Sequence, residues 1–81
     1  MKSMNEKVLK QLIKEVTTID GVNFVEHETQ YKAHQTVRSL VFKMEHPSQT
    51  STALNEIDLN YSYDGYIISF KKNKGNLKIY Y

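Results

Sequence analysis

The first apolar residues of the chain fall at helical spacing. Met4, Val8, Leu9, Leu12, Ile13, Val16 and Ile19 share one face, and Lys7, Lys10 and Lys14 take the other. Ser3 followed by Glu6 matches a capping box, Glu6 and Lys10 form a favourable i,i+4 pair, and Asp20-Gly21 supplies a stop. The pattern predicts a helix over about 4–18. Residues 22–32 and 36–45 then read as a hairpin reversing near Ala33-His34, with Val25 opposite Phe42 and Tyr31 opposite Thr36. Val37, Leu40, Val41 and Met44 also fit i, i+3, i+4, i+7, so a helix is the alternative there. The β-branched and aromatic content favours strand. His46-Pro47-Ser48-Gln49-Thr50-Ser51 has the composition of a loop.

Residues 54–81 alternate most regularly. Asp64-Gly65 is a strong type I′ hairpin signal, because that turn needs positive φ at both central residues. A two-residue loop there pairs Tyr63 with Tyr66, Tyr61 with Ile68, Leu59 with Phe70 and Ile57 with Lys72. A second reversal centred on Lys74-Gly75 pairs Phe70 with Ile79, Ile68 with Tyr81 and Lys72 with Leu77. The two registers place Tyr61, Tyr63, Tyr66 and Tyr81 on one apolar face, and Tyr80 on the other with Ile67. The resulting expectation is an α+β fold, α-β-β-β-β-β, in a single domain spanning 1–81. One N-terminal amphipathic helix packs on a meander-like antiparallel sheet of about four to five strands whose other face is polar, with the strand order left open.

Composition narrows the function classes. The chain has 81 residues and no cysteine, which leaves no disulfide or thiolate metal site and makes a cytoplasmic setting the default. No apolar run approaches the roughly 20 residues of a membrane span, and the N-terminus lacks the apolar core of a signal peptide, so no membrane role is expected. The three histidines lack zinc spacing, and Glu26-His27-Glu28 on a strand points to alternating faces. Neither a nucleophile elbow nor a phosphate-binding glycine loop is present, and Glu26/Glu28 and Glu56/Asp58 read as solvated carboxylates. The expectation is a protein that is not an enzyme and needs no cofactor.

Charge is the remaining clue. Residues 45–65 hold Glu45, Glu56, Asp58 and Asp64 without a Lys or Arg, whereas 66–81 hold Lys71, Lys72, Lys74 and Lys78 without an acid. In the register above, Lys71 and Lys78 share the polar face with Tyr80, Lys72 and Lys74 flank the turn, and Asp58 lies opposite Lys71. Lysines beside an exposed tyrosine suit a nucleic-acid backbone and base. They equally suit the guarding of a C-terminal edge strand. Arg38 is the sole arginine, which argues against a phosphate-reading surface. In size and composition the chain resembles small accessory proteins of phages and mobile elements, which act by binding a host protein. That resemblance is one of type and carries no residue assignment. The expectation is a non-enzymatic protein-binding module, an inhibitor or regulator, using Ile67, Lys71, Lys72, Lys74, Lys78 and Tyr80. Nucleic-acid binding through the basic hairpin is the alternative, and the same edge or patch would equally serve a homo-oligomer.

Overall fold

In the computed structural model, which describes residues 4–81, helix α1 (Glu6–Thr17) begins at Asn5. The Asn5 side chain caps the first turn by accepting from the Val8 amide at 2.9 Å. Ser3, the expected cap, lies outside the described residues, and the helix opens later than the capping box implied. Leu12 and Val16, one turn apart, are fully buried and anchor the helix to the core.

The hairpin that follows is present. Strand β1 (Val22–Lys32) pairs antiparallel with β2 (Gln35–Met44), which settles 36–45 as strand rather than helix. Tyr31 pairs with Thr36 as expected. Val25 does not meet Phe42: a bulge between Phe24 and Glu26 shifts the register, and Phe24 takes that position. The extra residue turns Val25 outward, 48% exposed, and lets the Phe24 and Phe42 rings meet edge-on at 5.4 Å.

The larger departure is residues 51–63. After a 3-10 turn at Pro47–Gln49 they form helix α2 (Ser51–Tyr63), not a strand. Leu54, Ile57 and Tyr61 fall at helical spacing; Leu54 and Tyr61 are buried and Ile57 packs against the core. The stretch Ala53-Leu54-Asn55-Glu56 favours helix, and Asn and Asp are poor in strands. The pairs Tyr63–Tyr66, Tyr61–Ile68, Leu59–Phe70 and Ile57–Lys72 therefore do not form, nor does Asp58 face Lys71. Tyr63, expected on the apolar face, is 92% exposed.

Strands β3 (Ser69–Asn73) and β4 (Asn76–Tyr80) complete an α+β architecture of two helices and a four-stranded antiparallel sheet. Their register is the expected one, with Phe70 opposite Ile79 and Lys72 opposite Leu77. The strand order is β1-β2-β4-β3, so the C-terminal strand lies inside the sheet and β3 is an edge. Phe42 and Leu40 of β2 and Leu77 and Ile79 of β4 are fully buried beneath the helices. Removing such side chains from water contributes about 1.5–3 kcal/mol each, and this joins the two hairpins through β2 and β4. Both helices pack on that face. Among the described residues no helix covers the other face.

Candidate functional site

The uncovered sheet face follows from the ladders, since residues directly opposite in an antiparallel pair project to the same side. One row runs Glu26, Val41, Lys78, Lys71 across the four strands. The rows on either side are Glu28, Ser39, Tyr80, Ser69 and Asn23, Lys43, Asn76, Asn73. Acid on this face is thus confined to β1, and lysine lies on β2, β4 and β3 and, at the far end of β1, at Lys32. Between the two signs, Lys78 donates to the Glu28 carboxylate at 2.9 Å. That bond holds the Lys78 ammonium above its ordinary pKa, against a smaller opposing effect of desolvation. Lys71 sits directly opposite Lys78, an arrangement that like charges disfavour unless an anion is shared. Val41, Lys71, Asn73, Asn76, Lys78 and Tyr80 line a depression of about 300 Å³. Its ammoniums, carboxamides and phenol are hydrogen-bond donors suited to an oxyanion.

Of the sequence-derived candidates, Lys71, Lys78 and Tyr80 come together here. The others do not join them. Lys72 projects to the helix side, where its ammonium reaches the Ser51 hydroxyl at 2.8 Å, tying the β3 edge to the start of α2. Lys74 lies in the β3–β4 turn, and Ile67, 65% exposed, precedes β3. Lys43, Asn73, Asn76, Glu26 and Glu28 were not expected at the site. Alternation along the first hairpin marks Glu26, Glu28 and Lys43 as one polar face, but only the β2–β4 pairing brings that face beside Lys71 and Lys78.

A second concavity lies between the helices. Lys7, Val8, Gln11 and Glu15 of α1 face Asn60, Tyr61 and Asp64, with Tyr66 beside them, around about 430 Å³. The Tyr61 hydroxyl is buried and meets no hydrogen-bond partner among the described residues. Burial first, and then the Glu15 carboxylate, hold its pKa well above the ordinary tyrosine range. Among the described residues, no group of three or more His, Cys, Asp or Glu side chains is arranged to hold a metal ion, and no helix is long and apolar enough to cross a membrane.

Comparison with protein families, with characterised proteins and with solved structures finds no match to this chain.

Proposed function

We propose that this chain is a non-catalytic protein-binding module acting in the cytoplasm, of the type phages and mobile elements use to inhibit or regulate a host protein. Its contact surface is the uncovered sheet face. The observation that carries this reading is the uneven charge of one open face, with Glu26 and Glu28 in the middle of β1, Lys32 at its far tip, and Lys43, Lys71 and Lys78 on the other strands. A protein surface can present both complementary signs in matching order, which gives orientation as well as attraction. A nucleic-acid backbone carries only negative charge and would meet the two glutamates. Tyr80, in the depression beside Lys71 and Lys78, supplies an amphipathic ring of the type enriched in interface cores.

The test is affinity purification from the native host with wild type and with the double substitution Lys43→Glu, Lys71→Glu. A stoichiometric protein should accompany the wild type and be lost from the variant. Recovery of the chain alone, or a partner indifferent to the substitutions, sinks the reading. Nucleic-acid binding remains the second reading, favoured by the donor-lined depression next to the Tyr80 ring. Mobility shift over a salt series discriminates it, because binding through phosphates weakens steeply with salt.

A further inference from the structure

Strand β1 is the other edge of the sheet, and it is the longest strand at 11 residues. Beyond the bulge, every residue of the run 26–32 is exposed except half-buried Glu28. Alternate amides and carbonyls along this run point away from β2, and no strand among the described residues lies beside them, which makes the edge a template for another strand. The distal hairpin also extends past the helices. Tyr31 is 84% exposed on the side the helices cover elsewhere, where a large aromatic ring gains nothing from folding.

We infer that β1 pairs antiparallel with β1 of a second copy about a two-fold axis through Thr29, joining two sheets edge to edge. The register follows from the pleat and the charges. An axis normal to the sheet requires opposed residues to share a face, so it must pass through a residue rather than between two. Centring on His27 sets Glu26 against Glu28 twice, and centring on Glu28 sets that carboxylate against itself; both are disfavoured. Centring on Gln30 shortens the overlap to 28–32. Centring on Thr29 uses the whole unbulged run and places Glu26 opposite Lys32 of the second copy, and Glu28 opposite its Gln30. His27 then meets Tyr31 of the second copy, an aromatic cross-strand pair that covers the ring left open in the single chain. The bulge at Val25 marks where pairing ends.

This inference is independent of the host-protein reading, because its test needs only the purified chain. Sedimentation velocity on the full chain over roughly 5–500 μM should show a concentration-dependent shift from monomer to dimer. Lys32→Glu and Glu26→Lys should each raise the dimer dissociation constant on the order of tenfold, since each creates two like-charge pairs across the axis. The double substitution Glu26→Lys, Lys32→Glu restores opposite charges and should recover wild-type association to within about threefold. Circular dichroism checks each fold; should a reversal unfold the chain, Glu26→Gln and Lys32→Gln replace it, each with a smaller loss of about threefold. A monomer throughout the range overturns the inference. So does a dimer unmoved by the single substitutions, or one that the double substitution fails to recover.

Discussion

The turns at Asp64-Gly65 and Lys74-Gly75 look alike as local chemistry, and the molecule uses them in opposite ways. At the first, Gly65 is the left-handed residue that closes helix α2, with φ 92. The Tyr66 amide donates to the Tyr61 carbonyl at 2.9 Å and the Gly65 amide to the Ser62 carbonyl at 3.0 Å, the paired bonds of a Schellman motif. The hydrophobic contact that accompanies that motif is present between the Tyr61 and Tyr66 rings, 6.0 Å apart. At the second turn, Lys74 takes the left-handed conformation, with φ 57, and β3 folds straight back on β4. A glycine after a polar residue thus reports only that the chain needs positive φ nearby. What precedes it decides the rest: a stretch rich in Ala, Leu, Asn, Asp and Glu in one case, and Ser69-Phe70 following two isoleucines in the other.

The sharpest way to break this contrast is through the two leucines of α2. A helix buries Leu54 and leaves Leu59 68% exposed, whereas the hairpin register would put Leu59 inside against Phe70. Leu54→Ala should cost about 2–5 kcal/mol, because it empties part of a closed core. Leu59→Ala should change stability by no more than about 0.5 kcal/mol. Urea denaturation of both variants measures this, and a large loss from Leu59→Ala would contradict the helix.

That pair of leucines also shows where the sequence was legible. Ile57, Leu59, Tyr61 and Tyr63 alternate with period two, while Leu54, Ile57 and Tyr61 recur at helical spacing, so periodicity alone fits both structures. Strand propensity favoured the correct one, since this stretch has no Val or Thr between Ala53 and Tyr61. The β3–β4 register was readable because one loop and one apolar face fix it together. The site was readable to the same depth: Lys71, Lys78 and Tyr80 are neighbours within one hairpin. Their approach to Lys43 and Glu28 is not local. It depends on β4 pairing with β2 from far along the chain, which is set by burial of Leu40, Phe42, Leu77 and Ile79 under the helices.

The glycines themselves distinguish the two turns next. Gly65→Ala should lose about 1–2 kcal/mol, because a Cβ at φ 92 is strained and the Schellman bonds depend on that conformation. Gly65→Asn, which tolerates the left-handed region, should recover part of the loss. At Gly75 the constraint is contact: a Cβ there would lie 3.2 Å from the Met44 carbonyl oxygen, at the place where the Met44 amide donates to the Gly75 carbonyl at 2.8 Å. Thermal melts of both glycine variants check the difference, since Gly75→Asn, unlike Gly65→Asn, still carries the crowding Cβ and should recover nothing.

The smallest expected effect sharpens the comparison from the hairpin side. Lys74 is the only non-glycine residue with positive φ among the described residues, and a lysine has no local hydrogen bond to offset that conformation. Lys74→Asn would place a residue tolerant of the left-handed region at the one turn position that needs it. Asparagine tolerates the left-handed region without the added chain entropy of glycine. The substitution should therefore raise stability, by about 0.5 kcal/mol, as an upward shift of the urea midpoint at unchanged slope. Asn in place of Asp64 at the other turn should give no such gain, because Asp64 caps α2 with φ −79 and needs no left-handed tolerance. Equal stabilisation at both positions would mean that the two turns are alike after all.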